Sequence, residues 1–289
     1  MPVLEVPHVS VLPRYPIYIP SKGRWESGLT AKFLKRDGVP FKLVVEQQEA
    51  DDYARAFGEE NVLVLPFSNL GLGSIPARNW QWEHAIEHGA ERHWCIDDNI
   101  KCIERSFDGK RLSCPAGPAL AAVEDFVDRY ENVGIGGLHH RFFAFAPGLP
   151  PFFLNCHVYS CMLVRSDLPY RWRGRYNEDT DLCLQAIADG WCTVNVNAFL
   201  INKAATMTMK GGNTDELYAG DGRLAMAKEL QRRWPHVVSI SRKYGHPQHR
   251  VDWKKFRAPL KLKPGIDLDS IEPNEYGLRL LPRVREAGL

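Results

Sequence analysis

Trp94-Cys95-Ile96-Asp97-Asp98-Asn99 decides the reading of this chain, because an apolar strand there runs straight into two carboxylates and an amide. His93 to Asp97 has the short, continuous apolar character of a strand buried in a parallel sheet. In open α/β sheets ligands lie beyond the carboxyl ends of the strands, so residues 97–99 stand where chemistry is expected. Hard cations such as Mg²⁺ and Mn²⁺ take oxygen ligands and bridge one or two carboxylates to a diphosphate, and Asp97, Asp98 and Asn99 can supply such oxygens. The same three residues also suit a plain turn leaving a strand.

Upstream, strands alternate with helices. Ile17-Tyr18-Ile19 reads as a strand cut off by Pro20 and followed by the turn Ser21-Lys22-Gly23. Glu26 to Asp37 reads as a helix, with Leu29 and Phe33 one turn apart and Gly38 just past its end. Lys42 to Glu46 is the second strand, Ala50 to Phe57 a helix, and Asn61 to Leu65 the third strand. Ser74 then caps a helix with Pro76 in its first turn, running to Gly89. Such spacing makes βαβ units, so we expect an α/β fold with a mostly parallel central sheet flanked by helices. Downstream the pattern loosens: Ala119 to Tyr130 and about Asp179 to Asp189 read as helices. Val133 to Gly137, Arg141 to Phe145, His157 to Val164 and Cys192 to Phe199 read as strands, and Arg223 to Trp234 as a last helix before a proline-bearing tail.

With 289 residues, 44% apolar and 25% charged, the chain has the composition of one large globular domain or two small ones. No apolar run approaches the ~20 residues needed to cross a bilayer. The opening MPVLEVPHVSVLPRYP lacks the basic and long apolar regions of a signal peptide, so a cytoplasmic protein with no membrane partner is expected. Seven scattered cysteines without a CxxC pair indicate neither a zinc site nor a disulfide framework. The overall charge of +2 hides a segregation: from Gly220 to Lys263 twelve Lys/Arg oppose three acidic residues, leaving +9 there and −7 elsewhere. That asymmetry points to a polyanionic partner or, more simply, to a solvated basic tail.

Two further segments bring charge to the same sheet edge. Ser74-Ile75-Pro76-Ala77-Arg78-Asn79 sets Arg78 in the first turn of a helix, where a cation is unfavourable with the macrodipole but complements a phosphate held by free backbone N–H groups. Asn177-Glu178-Asp179-Thr180-Asp181 puts three carboxylates at a helix start, ahead of Leu182, Leu184 and Ile187. Capping explains them, and a capping carboxylate beside a crevice can also act as general base toward a hydroxyl. Asp179 leads these candidates, with Glu178 and Asp181 beside it.

Taken together, these motifs resemble a GT-A glycosyltransferase: an Asp-Asp-Asn variant of the DxD motif, a preceding helix opening Pro76-Ala77-Arg78-Asn79, and Glu178-Asp179 about 80 residues later. Ile17 to Arg24 (IYIPSKGR) and Val44-Val45-Glu46 narrow the resemblance to the phage TET-associated glycosyltransferases, described as acting on 5-hydroxymethylcytosine in DNA. It covers roughly Pro16 to Asn213. The resemblance implies a GT-A-like nucleotide-binding fold and a nucleotide-sugar donor, a UDP-sugar first. Pro20, Ser21, Arg24 and Glu46 would hold the nucleotide, and Arg78 the nucleotide or its phosphates. Asp97, Asp98 and Asn99 would bind Mn²⁺ or Mg²⁺ and the donor diphosphate, and Asp179 would be the base of an inverting reaction.

Two features depart from that pattern. The third motif position is Asn99, and no histidine stands between Asn202 and Asn213, where many such enzymes place a late metal ligand. Lys203 or Lys210 can instead neutralise the leaving diphosphate. For the acceptor, His139, His140 and Arg141 precede an aromatic run, and Arg171, Arg173 and Arg175 alternate with Tyr170, Trp172 and Tyr176. Cations among aromatics suit phosphate contacts and base stacking, although Phe143 and Phe145 by themselves read as sheet core. Arg242, Lys243, Lys254 and Lys255 represent the basic segment.

The expected organisation is a transferase domain over residues 14–213, with a nucleotide half at 14–99 and an acceptor half at 100–213. A basic extension over 214–289 lies on or beside it. The expected activity is metal-dependent transfer of a sugar to a hydroxymethylated pyrimidine in DNA, in the cytoplasm of an infected host cell if the chain is phage-encoded. The rivals are a polysaccharide, lipid or protein acceptor, a sugar-phosphate nucleotidyltransferase, and a non-catalytic nucleic-acid-binding module.

Overall fold

β-Branched and aromatic residues at the predicted positions build β1 (Ile17–Pro20), β2 (Lys42–Val45), β3 (Val62–Val64) and β4 (Arg92–Ile96). In this computed structural model, which describes residues 11–107, 110–144, 149–204, 211, 222–243, 245–274 and 276–281, the four pair in parallel in the order β3-β2-β1-β4. Between them run α1 (Leu29–Arg36), α2 (Ala50–Phe57) and α3 (Ile75–Glu87). The sheet continues through β5 (Ile100–Phe107), β6 (Lys110–Cys114), β7 (Val133–His140), β8 (Phe152–Leu154), β9 (Cys161–Arg165) and β10 (Cys192–Lys203). β9 runs antiparallel between β4 and β7, and β10 is parallel to β7. β5 and β8 pair antiparallel to β10, and β6 closes the edge on β5.

Of the ten described strands of this sheet, seven therefore share one direction, the mostly parallel α/β sheet that the spacing implied. The consequence for function is positional. The carboxyl ends of β1, β4, β7 and β10 all open on one edge of the sheet.

Both faces of that sheet are covered, and the alternation of side chains shows how. Ile17, Ile19, Trp94 and Ile96 join Phe33 of α1, Tyr53 of α2 and Phe126 of α4 (Ala116–Val127) in one core. Tyr18 and Cys95, pointing the other way, meet the opposite layer, in which Trp82 and Ala85 of α3 and Leu182 of α5 (Glu178–Ala188) are buried. The C-terminal part packs on α5: Leu184 and Ile187 cluster with Leu230 of α6 (Gly222–Arg233) and Val238.

Several expectations change. α1 starts at Leu29 rather than Glu26, because Gly28 takes a left-handed φ of 32° where a Cβ would lie 2.3 Å from the Phe57 ring. Arg141–Phe143 forms a 3₁₀ turn instead of a strand; Phe143 is half exposed and not sheet core, and Phe145 lies outside the described residues. The tail contains an antiparallel hairpin, β11 (Val238–Lys243) with β12 (His246–Val251). Pro247 is tolerated there because a two-stranded ribbon consists of edges only.

Candidate active site at the carboxyl edge of the sheet

Asp97 leaves β4 and immediately meets two cations. Its Oδ1 accepts a hydrogen bond from Arg78 Nη2 at 2.9 Å, and its Oδ2 accepts one from Lys203 Nζ at 2.6 Å. Arg78 Nη1 also donates to Asp179 Oδ1 and lies 3.5 Å from Glu178 Oε1. Arg78 thus ties the end of β4 to the first turn of α5 across more than eighty residues of sequence. Its side chain is only 6% exposed and its guanidinium lies 4.6 Å from the Trp172 ring, so it organises the site from beneath. A direct contact of Arg78 with a nucleotide, as the sequence implied, does not fit that burial.

Ser160, which the sequence reading did not single out, is the knot. Its backbone N–H donates to Asp179 Oδ2 at 3.3 Å, its carbonyl accepts from the Asp97 N–H at 2.8 Å, and its hydroxyl accepts from Lys203 Nζ at 2.9 Å. It adopts φ 67°, a conformation that costs free energy for a residue with a Cβ and persists where the surroundings fix it. No sequence signal marks it, since Tyr-Ser-Cys in an apolar run reads as ordinary strand.

Lys203 reaches this point because β10 is irregular. The register of β10 against β5 shifts between Asn202 and Lys203, and a bulge of this kind re-aims a side chain. Lys210, the other candidate, lies outside the described residues.

Electrostatics separate the two leading carboxylates. Burial opposes ionisation of Asp97, but Lys203 and Arg78 outweigh it and hold the carboxyl well below its ordinary range. For Asp179 burial wins: with Glu178 and Asp97 adding repulsion against Arg78, its pKa is raised to about 6. A carboxylate poised near neutrality can take a proton from a hydroxyl. Asp181 is different. It is fully buried, and its oxygens accept from Arg173, Gln185 and Trp234 Nε1, so it anchors α6 to α5 and faces no crevice.

Asp98 turns to a different set of partners. Arg24 Nη1 donates to its Oδ1 at 2.5 Å and Ser21 Oγ to its Oδ2 at 2.7 Å, while Tyr53 OH lies 2.7 Å from Ser21 Oγ. Burial keeps the Asp98 carboxyl above its ordinary range even beside Arg24. Arg24 Nη2 also donates to the carbonyl of Gly211 at 3.0 Å; Gly211, at φ 80°, packs so tightly on Gly23 that a Cβ would lie 2.5 Å from the Gly23 oxygen. Ser21 and Arg24 therefore shape the turn after Pro20. Glu46 pairs with Lys22 at 2.9 Å and accepts the Asn69 N–H at 2.9 Å on the rim.

The expected divalent cation does not fit these residues. Consecutive residues leaving a strand point to opposite sides, and here Asp97 is engaged by Arg78 and Lys203 and Asp98 by Arg24 and Ser21. A Mg²⁺ or Mn²⁺ held by Asp97 would stand beside Arg78 and Lys203. To coordinate Asp97 the ion would have to compete with both of these cations for its two oxygens. Of the three motif residues Asn99 keeps a buried Oδ1 without a partner, and one amide oxygen is not a coordination shell. Among the described residues, no group of three His, Cys, Asp or Glu is placed to hold a metal.

On the acceptor side, His140 at the end of β7 lies 3.4 Å from Ser160 Oγ and packs against Tyr159, 4.9 Å between centroids, and Phe143, 5.9 Å. Phe142 and Phe143 are 66% and 48% exposed, giving an aromatic shelf next to the ion cluster. Burial and the nearby Lys203 lower the His140 pKa to about 4, and burial also lowers His139, so neither is a phosphate-binding cation. Arg141 pairs with Glu104, Arg171 with Glu83, and Arg173 with Asp181; the Arg175 N–H donates to Glu229. Arg141, Arg171 and Arg173 are thus ion-paired within the protein while remaining partly exposed, and Arg175 is exposed. Arg242, Lys254 and Lys255 are exposed on and after the hairpin, and Lys243 ends β11 opposite His246.

A family model for the TET-Associated Glycosyltransferase matches residues 15–212. GREB1-like protein of Mus musculus is 25% identical over 236 residues, covering 69% of this chain but only 12% of that much longer protein. Two solved structures overlap partially. One, described as a putative nucleotide-diphospho-sugar transferase from Desulfovibrio desulfuricans, covers 64% of this chain and 80% of its own, at 10% identity and a TM-score of 0.36. The other, a mannose-1-phosphate geranyltransferase from Thermus thermophilus, covers 77% and 64%, at 15% identity and a TM-score of 0.31. Among the described residues no helix is long and apolar enough to cross a membrane.

Proposed function

Because the chain belongs to the TET-associated glycosyltransferase family, we propose that it transfers a sugar from a nucleotide sugar to the hydroxymethyl group of a modified cytosine in DNA. The observation that carries the proposal is the Arg78–Asp179 pair. It presents a carboxylate with a pKa of about 6 at the amino end of α5, on the sheet edge that also bears Asp97 and the Ser21–Arg24 turn. Asp179 is the base: the acceptor hydroxyl gives it a proton as its oxygen bonds to the sugar's anomeric carbon. The bond from that carbon to the diphosphate breaks, and its electron pair leaves on the diphosphate. Glu46 and the turn after Pro20, which Ser21 and Arg24 brace through Asp98, line the nucleotide side, and a UDP-sugar is the first donor to try.

DNA as acceptor is supported by two features. Phe142, Phe143 and Tyr159 offer aromatic faces on which a base can stack once it is flipped from the duplex. The exposed cations Arg242, Arg250, Lys254, Lys255 and Arg257 offer phosphate contacts. We place the transferase unit at 14–213 and the basic extension at 214–289, the extension being held on α5 through Trp234 and Asp181.

The test is mass spectrometry of nucleosides from hydroxymethylated DNA incubated with the protein and a panel of nucleotide sugars. A hexose added to hydroxymethylcytosine is the expected product. Transfer only to a polysaccharide, lipid or protein replaces the acceptor, and pyrophosphate release from a sugar phosphate and a nucleoside triphosphate replaces the reaction.

A further inference from the structure

We propose that Lys203 stands in for the divalent cation and that donor binding by this protein is independent of metal, its ammonium carrying the charge of the nucleoside diphosphate. The inference rests on the transferase reading above and goes beyond it by naming what neutralises the leaving group.

Four observations converge on it. The position that a diphosphate-bridging ion would share with Asp97 is taken by Lys203 Nζ, 2.6 Å from Oδ2. The amine is delivered by the strand irregularity at Asn202/Lys203, and the next residue is fixed by the Ala204 N–H donating to the Asn99 carbonyl at 2.9 Å. The placement therefore belongs to the backbone and not to one rotamer. Asp97 and Ser160 Oγ take two of the three ammonium donors, and the side chain keeps 17% of its surface exposed, which leaves a donor for a solute oxygen. Finally, both oxygens of Asp98, the remaining carboxylate of the motif, already accept hydrogen bonds, from Arg24 and from Ser21, and the group is buried.

In this arrangement Asp97 is a positioning residue. It holds Lys203, as Arg78 holds Asp97 from the other side. When the bond between the anomeric carbon and the diphosphate breaks, the pair of electrons settles on a phosphate oxygen beside an ammonium already in place. A lysine is a point charge with no geometric demand, so it can follow the diphosphate as it leaves.

Calorimetry on the full chain tests this, titrating uridine, guanosine and adenosine diphosphates and their sugar conjugates, once in EDTA and once in Mn²⁺. The nucleotide that binds is expected to do so in EDTA within about threefold of its affinity in Mn²⁺. Lys203→Met should weaken it by about tenfold or more, the loss of a charge-assisted hydrogen bond, while Lys203→Arg retains most of the binding. Binding seen only with Mn²⁺, or unaltered binding by a folded Lys203→Met, overturns the inference. Should Lys203→Met fail to fold, the EDTA comparison on the unaltered chain still decides it. Failure of every nucleotide to bind in both conditions overturns the donor reading itself, and this inference with it.

Discussion

At the carboxyl edge of the sheet Arg78, Asp97, Asp179 and Lys203 direct their charges at one another, whereas Arg242 and Arg250 on the C-terminal hairpin and Lys254 and Lys255 on the turn after it face water. Arg78 bridges carboxylates from two distant segments at 6% exposure, while Lys255, exposed, donates to the carbonyl of His236. The difference decides how each region responds to change. In the first, a group's effect is set by its partners, and removing one leaves an uncompensated buried charge. In the second, charges act through their sum, at a distance, and are screened within roughly 8 Å at physiological salt.

The largest effect is therefore expected at Arg78. Arg78→Ala strands Asp179 and leaves Asp97 to Lys203 alone, so unfolding free energy should fall by about 3–5 kcal/mol, the usual cost of breaking a buried pair from one side. Urea unfolding measures it, and a loss under about 1 kcal/mol would show that the crevice behaves like the surface. Arg78→Lys should recover only part, since a single ammonium does not reproduce a guanidinium bridging two acids.

Asp179→Asn comes next. It keeps the size of the side chain and an oxygen for Arg78, so the variant should fold, at least as stably as the wild type near pH 7, while turnover drops by roughly 10²–10⁴-fold, the range of a general base. Turnover near wild type reduces Asp179 to a bracket for Arg78. The pH dependence sharpens the point, because activity and stability should move oppositely. Turnover should fall as pH drops through about 6, where the base takes its proton. The raised pKa means the folded state favours protonated Asp179. Its stabilising share is complete below the unfolded value near 3.8 and disappears as pH rises through about 6. Thermal melts of wild type against Asp179→Asn between pH 4 and 7 follow that share, with the two curves converging on the acid-side trend only if Asp179 is its source.

The sequence displayed the nucleotide half more clearly than the rest, for a physical reason. βαβ units carry their own punctuation, so β1 to β4 and α1 to α3 followed from local pattern, and the acidic end of β4 with them. The partners of that end did not follow. Lys203 is brought in by a bulge and Ser160 by a left-handed backbone turn, both products of strand pairing between segments far apart in the chain. The β5–β6 hairpin was hidden because Lys101, Glu104, Arg105, Lys110 and Arg111 make it read as polar surface. Arg171 and Arg173 looked like an anion-binding stripe because sequence shows charges but not the Glu83 and Asp181 that answer them. Burial also cancels the charge of His140, which no spacing reveals.

The hairpin prediction has the smallest effect per residue and tests the other half of the comparison. If the exposed cations follow a phosphate backbone, binding to hydroxymethylated duplex DNA releases counterions, and log K falls linearly with log salt. About four phosphate contacts, for example from Arg242, Lys243, Lys254 and Lys255, give a slope of roughly −3 to −4. Lys254→Glu with Lys255→Glu should reduce that slope by about two and weaken binding alike for every sequence, since phosphate contacts position without specifying. Nucleotide binding should not change, because exposed charges more than a Debye length away are screened from the cluster at Asp97. Fluorescence anisotropy across a salt series measures the slope. A flat response, or equal transfer to free 5-hydroxymethyl nucleoside and to DNA, would mean that the basic surface has no part in acceptor choice and that specificity lies with the aromatic shelf at Phe142 and Phe143.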